Sequence, residues 1–239
     1  MERYIRNTII PKIGEAGQEK IRRAKALICG AGGLGSTVIA NMSAVGTGTI
    51  GIVDNDALEL SNLNRQYIHK FENLGKVKVN SAKDWINAFN PEINVKTYQT
   101  RLDHTNYAGI VKDYDFIIDC FDSFNSKFLL NDIAVQTGKT LIHGGVTEFG
   151  GQVMTIFPGK TACLRCILPD ADENLQVLKG VVSPAVATIA SIESMEALKL
   201  ILNLGAPLAN RLLCFNGLEM TFRKLNIERN AKCPLCKNI

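Results

Sequence analysis

From residue 24 to about residue 145, short β-branched runs alternate with longer stretches whose apolar positions recur at helical spacing. Strands buried on both faces read as unbroken apolar runs, so this alternation predicts a mostly parallel sheet with helices on its two sides. AKALICG at 24–30 is the first expected strand, and a helix follows from Leu34 to about Ala44. Further strands are expected at 49–54 (TIGIVD), 94–98, 115–120 (DFIIDC) and 140–143, with helices near 75–89 and 125–137. After this the alternation stops. A strand at 150–157 and strands within 212–226 flank one long helix at about 185–202, which predicts antiparallel strands added to the same sheet. The polar, acidic segment PDADENLQVLK at 169–179 reads as a mobile surface loop.

Composition narrows the class. With 46% hydrophobic and 21% charged residues, 239 residues can bury the core of an ordinary globular protein. A net charge of +4, without any block of five like charges, makes no case for a nucleic-acid or membrane partner. The N-terminus has no apolar segment of the kind a signal peptide needs. Four of the seven cysteines form two CxxC pairs, which points to a metal rather than a disulfide framework and to the cytoplasm.

Gly30-Ala31-Gly32-Gly33-Leu34-Gly35 matches G-x-G-x-x-G between an expected strand and an expected helix. There, glycines let backbone N–H groups approach phosphates, and the helix N-terminus favours negative charge. Asp54 ends the second strand, where an acid would bind ribose hydroxyls. These features make the fold Rossmann-like, and by themselves they fit an NAD(P)-dependent oxidoreductase as well as an ATP enzyme. The residues that follow separate the two. Ser61-Asn62-Leu63-Asn64-Arg65 lies just past Asp54, and Lys78 opens the next helix. Arg65 offers a planar fork to phosphate oxygens, Asn62 a neutral donor and Lys78 a second cation. Hydride transfer needs none of these, and none of His69, His104 and His143 is placed as its acid or base. A third reading is a binding module without turnover.

The ordered motifs Arg3-Tyr4-Ile5-Arg6-Asn7, GAGGLG, DND…SNLNRQ, GKVKVNSA and Asp119-Cys120-Phe121-Asp122-Ser123, ending in two CxxC pairs, resemble the MoeB/ThiF/HesA family of adenylyltransferases, relatives of ubiquitin-activating enzymes. The resemblance covers almost the whole chain. It implies ATP-dependent adenylation of the C-terminal carboxylate of a ubiquitin-like sulfur-carrier protein ending in Gly-Gly, with pyrophosphate released and a homodimer as the working unit. By the same resemblance, Gly30, Gly32, Gly33, Gly35 and Asp54 hold the adenosine, and Arg65 and Lys78 the phosphates. Asp122 holds Mg²⁺, Ser61, Asn62 and Ser123 complete the nucleotide contacts, and Arg6 acts in the partner's site. Where relatives often show arginine this chain has Lys127, which fits either a phosphate contact or a surface helix position. As a purely local reading, Asp122 also fits a cap for the helix after it. The implied organisation is a single unit over 1–239. It comprises a helical arm (1–23), a nucleotide-binding half (24–145) and a zinc-stapled, partner-binding half (146–239) with a mobile loop near 168–182.

Cys163, Cys166, Cys233 and Cys236 together suit a closed tetrahedral Zn²⁺ site of structural role, clipping the C-terminal segment to the body. Cys29, Cys120 and Cys214 fall in expected strands and read as inert core thiols. Some relatives carry a cysteine in the loop where this chain has Val177, so the reaction is expected to stop at the acyl-adenylate or to take sulfur from another protein. With the chain ending three residues after Cys236, no sulfur-donor domain is expected to follow.

Overall fold

A computed structural model describes residues 2–169 and 180–236. Residues 170–179 of the expected surface loop, Val177 among them, lie outside the described residues. In chain order the elements are α1 (Ile5–Thr8), α2 (Gly14–Arg23), β1 (Lys25–Cys29), α3 (Gly33–Val45), β2 (Thr49–Val53), α4 (Lys78–Phe89), β3 (Asn94–Tyr98) and α5 (Tyr107–Val111). They continue with β4 (Phe116–Asp119), α6 (Phe124–Thr137), β5 (Thr140–Thr147), β6 (Gly150–Ile156), α7 (Leu164–Ile167), α8 (Ser183–Leu202), β7 (Arg211–Asn216) and β8 (Thr221–Asn226). The strands form one sheet in the order β3-β2-β1-β4-β5-β6-β7-β8. The first five are parallel and the last three join antiparallel, as the change of pattern after residue 145 predicts.

Alternation along β1 shows how the sheet separates two cores. Ala26 and Ile28 face the side covered by α3, α4 and α8, against Val38, Met42 and Ile189. Leu27 and Cys29 face the side of α6, against Ile117, Phe128 and Ile133. Each face buries its own apolar row because successive side chains on a strand point to opposite sides. Among the described residues no helix is long and apolar enough to cross a membrane.

Three boundaries differ from expectation in ways that matter below. α4 starts at Lys78 rather than near residue 75, because Gly75 takes a left-handed φ of 81° and Val77 pairs with Ala57 across a β-bridge. The Lys78 N–H donates to Asp56 O at 2.9 Å, which brings the first turn of α4 beside the end of β2. β5 runs on to Thr147, four residues past its expected end, because it pairs with β6 over its whole upper half. α6 is capped by Ser123, whose Oγ accepts the Ser126 N–H at 3.2 Å, so the local reading of Asp122 as the cap is corrected.

Candidate active site at the carboxyl ends of β1, β2 and β4

β2 lies on one side of β1 and β4 on the other, so consecutive connections leave β1 in opposite directions and open a crevice at its carboxyl end. The glycine turn fills that point. Gly30 has φ 105°, and a Cβ there would sit 2.6 Å from Cys120 O, so the turn can pass the exit of β4 only as glycine. A Cβ at Gly35 would drive into Gly30 O, which keeps α3 tight against the strand. Among the described residues no side chain caps α3, so the first N–H groups of the helix are available to an anion in the crevice.

The buried Asp54 latches this turn. Its Oδ2 accepts the Ala31 N–H and its Oδ1 the Asp56 N–H, both at 2.8 Å. Burial raises its pKa, opposed by those two N–H groups and by the charge of Lys78. His69, assigned no role from the sequence, grips the carbonyl of the same residue. Its Nε2 lies 2.9 Å from Ala31 O and its Nδ1 2.9 Å from Ser81 Oγ on α4, so Nε2–H donates and Nδ1 accepts. Burial holds its pKa below the usual histidine range. The sequence carries no signal for His69, because its partners Ala31 and Ser81 lie far from it along the chain.

The two expected cations arrive from different elements. The stem of Arg65 passes over the glycine turn, its Cγ and Cδ each 3.4 Å from where a Cβ on Gly33 would stand. Its Nη1 is pinned by Ser61 O at 3.1 Å and Asn64 Oδ1 at 2.8 Å. Lys78 is buried at the start of α4, with Nζ 2.9 Å from Asp56 Oδ2. Asn62 spends its Oδ1 on the Glu59 N–H at 3.0 Å, and Ser61 faces Glu59, so both shape the turn that carries Arg65. Ser123 likewise spends its hydroxyl within its own cap, on Ser126. Asp122 is exposed and makes no hydrogen bond or ion pair among the described residues; Phe121 N, one residue before it, is 3.3 Å from the Gly30 Cβ position.

Lys127 occupies neither place the sequence left open. It is buried, and its Nζ donates to Gly144 O at 2.6 Å and to Asp119 Oδ2 at 3.3 Å. Arg6 is exposed at the far end of α3: its neighbour Tyr4 packs on Gly46, the C-cap of that helix. Thirteen helical residues span about 20 Å, so Arg6 does not reach the glycine turn of its own chain. Cys29 and Cys120 are buried with thiol pKa values well above the ordinary value, and Cys214 is raised by partial burial; none is an activated nucleophile.

Away from the crevice, Cys163, Cys166, Cys233 and Cys236 come together with all Sγ atoms within 4.8 Å of one another. Three of the pairs lie at 3.8, 3.8 and 3.9 Å, and Cys163–Cys236 is closer at 3.0 Å. Four thiolates about 2.3 Å from a central zinc ion stand about 3.8 Å apart, so the donor set fits that ion. The knuckle is anchored to α6 by Leu164 N–H to Asn131 Oδ1 at 2.9 Å and by a two-pronged Arg165–Asp132 pair at 2.7 Å.

The fold and crevice define an open α/β protein with a glycine-turn cradle set at the point where strand order reverses. The chain belongs to the ThiF family, whose model matches residues 4–235. It is 38% identical to the sulfur carrier protein adenylyltransferase of Thermus thermophilus, over 99% of this chain and 90% of that protein. It is 35% identical to the SAMP-activating enzyme E1 of Haloferax volcanii, over 99% of this chain and 88% of that one. The crystal structure of E. coli MccB with ATP resembles it with a TM-score of 0.84 at 25% identity, covering 99% of this chain and 75% of that one.

Proposed function

We propose that this protein adenylates the C-terminal carboxylate of a ubiquitin-like sulfur-carrier protein with ATP and releases pyrophosphate. Residues 1–239 act as a single unit. The observation that supports the reading is that Arg65 and the exit of β4 meet at one glycine turn, with the buried Lys78 close beside the Asp54 that latches it. The names of the relatives from Thermus and Haloferax support the same chemistry and the class of substrate. A nicotinamide enzyme would not need these cations, and a silent binding module would not need all of them together.

In the reaction, one oxygen of the carrier carboxylate attacks the α-phosphorus of ATP, and the bond to the bridging oxygen breaks. The carboxylate is already ionised, so no residue has to remove a proton. The glycine turn and the first turn of α3 cradle the phosphates, and Asp54 and His69 hold Ala31 so that those N–H groups stay aimed. Asp54 keeps lone pairs free for the ribose, and Ser61, Asn62 and Ser123 keep the surrounding turns in shape. Arg65 and Lys78 offset charge as it shifts toward pyrophosphate. Asp122, unpaired at the carboxyl edge, suits a hard divalent cation and would hold Mg²⁺, which supplies charge neutralisation on the phosphates when bound. The cysteine cluster would hold Zn²⁺ with no open position, in a structural role. The cytoplasm is the compartment in which such thiolates persist.

ATP–pyrophosphate exchange with purified carrier proteins ending in Gly-Gly tests the assignment. Exchange is expected only when carrier, ATP and Mg²⁺ are all present. Exchange with none of a broad panel, or NADH-dependent turnover of a small substrate, would refute it.

The working unit we propose is a homodimer in which Arg6 enters the partner's crevice. Its distance from its own site supports this, as do the exposed Ile5, Ile9 and Ile10 around it. Mixing inactive Arg6→Ala with inactive Asp122→Ala chains then rebuilds intact sites in mixed dimers, about one quarter of all sites. No recovery on mixing, or a monomer in solution, would rule the arrangement out.

A further inference from the structure

Asp119 ends β4, three residues before Asp122, and its carboxylate is fully buried. Its Oδ1 accepts the Phe121 N–H at 3.2 Å. Its Oδ2 accepts from His143 Nδ1–H at 2.7 Å and from Lys127 Nζ at 3.3 Å. The three donors come from the loop after β4, from β5 and from α6. Lys127 adds a second tie between α6 and β5 through Gly144 O. The backbone of residues 120–123, which alone aims the unpaired Asp122, is thus held at one end by Asp119 and at the other by the Ser123 cap.

We propose that Asp119 is a positioning residue: by gripping Phe121 N–H, Lys127 and His143 it aims the loop that carries Asp122, and so sets how tightly the site takes the divalent cation of the metal–nucleotide. This rests on the reading of Asp122 as the cation ligand. The charge balance of the buried cluster singles out Asp119 for the task. Burial by itself would raise its pKa, but Lys127 and His143 more than reverse that and keep it ionised. Glu193, on α8 beside Gly144, is also fully buried, and neither of its oxygens has a hydrogen-bond partner among the described residues. Burial pushes its pKa well above the ordinary value, so it is the neutral acid of the cluster. Lys127 therefore has its anion in Asp119, with a second acid in reserve.

That reserve makes Asp119→Asn a usable variant. The amide matches the carboxylate in shape; with its oxygen kept toward the Lys127 and His143 donors it turns an N–H₂ toward the Phe121 N–H, which loosens the grip on the loop. Glu193, whose charge Lys127 already favours, can ionise and keep the buried cation paired. The experiment uses the full chain with a non-hydrolysable ATP analogue. Mn²⁺ binding is followed by electron paramagnetic resonance, and binding of the analogue alone, in chelator, by calorimetry. Removing a group that orients a metal ligand typically weakens the metal by 10–100-fold. Asp119→Asn is expected to weaken Mn²⁺ by about tenfold and to leave metal-free analogue binding within about twofold. His143→Gln removes one donor and no charge; it is expected to weaken Mn²⁺ by about threefold, with loss of the His143 Nδ1–H proton resonance. Wild-type Mn²⁺ affinity in folded Asp119→Asn would overturn the proposal. So would an equal loss of metal-free analogue binding, since that marks general support of the fold. If Asp119→Asn does not fold, unchanged Mn²⁺ affinity in His143→Gln overturns it instead. Asp122→Ala is the control: unaltered Mn²⁺ binding there would remove the ligand reading itself, whatever Asp119→Asn does.

Discussion

Arg65→Ala is expected to lower carrier-dependent pyrophosphate exchange by roughly 10²–10³-fold, and Asp122→Ala to fall in the same range. On the proposed mechanism both losses arise from charge that is needed at the transition state and not for folding. Arg65 is half-buried, and among the described residues its guanidinium hydrogen-bonds only Ser61 O and Asn64 Oδ1, in its own turn. Truncating it leaves the glycine turn to be held by Asp54 and His69. Asp122 is exposed and bonds to nothing among the described residues, so its loss opens no hole. Thermal midpoints should stay near wild type while exchange collapses. The two variants should also differ in kind. Raising Mg²⁺ should restore part of the Asp122→Ala loss if the side chain holds the cation, and none of the Arg65→Ala loss. Near-normal exchange in either folded variant would strip that residue of its role.

The elements that set the crevice were legible because their signals are local. A glycine turn needs its glycines in adjacent positions, and the β1–α3 context is written within about twenty residues. Arg65 and Lys78 stand out as candidates for the same reason, as polar residues in a fixed order after Asp54. What stayed hidden is pairing between distant positions. Lys127 looked like a surface or phosphate-binding cation because the sequence does not show that Asp119 and Gly144 O close around it. His143 looked unplaced until β5 lay beside β4, with Asp119 opposite His143 in register. Glu193 carried no signal, since an acid within a helix is ordinary until its surroundings are known to be apolar. Arg6 is the converse case. It was assigned from resemblance, and the length of α3 between Tyr4's contact and the glycine turn gives the physical reason it cannot act at its own site.

Stripping metal from the cysteine cluster, or replacing Cys233 by serine, is expected to cost about 4 kcal/mol of stability, with little direct effect on chemistry. Sixty-six residues lie between Cys166 and Cys233. Closing a loop of that size from the unfolded chain is worth about 4 kcal/mol on the chain-entropy scale used for disulfides. For a protein of this length that corresponds to a fall of about 10 °C in the thermal midpoint. Besides the cluster, Arg229 ties the same segment to the body through Gly159 O at 2.8 Å, an exposed contact worth far less than the metal clip. Cys233 and Cys236 are buried against Cys163 and Cys166, and β8 before them is mostly exposed along its length. The crevice should feel the loss only weakly. The knuckle joins α6 at Asn131 and Asp132, midway along the helix, whereas Asp122 and the Ser123 cap sit at its N-terminus, about two turns away. Exchange measured well below the lowered midpoint should therefore fall by less than about tenfold, against the 10²–10³-fold expected for Arg65→Ala. Elemental analysis should find one zinc per chain in the native protein and none in the stripped form, with the midpoint recovering on adding Zn²⁺. A chain that melts at the same temperature with and without chelator, and carries no zinc, would leave the four thiols as a packed cluster without a metal.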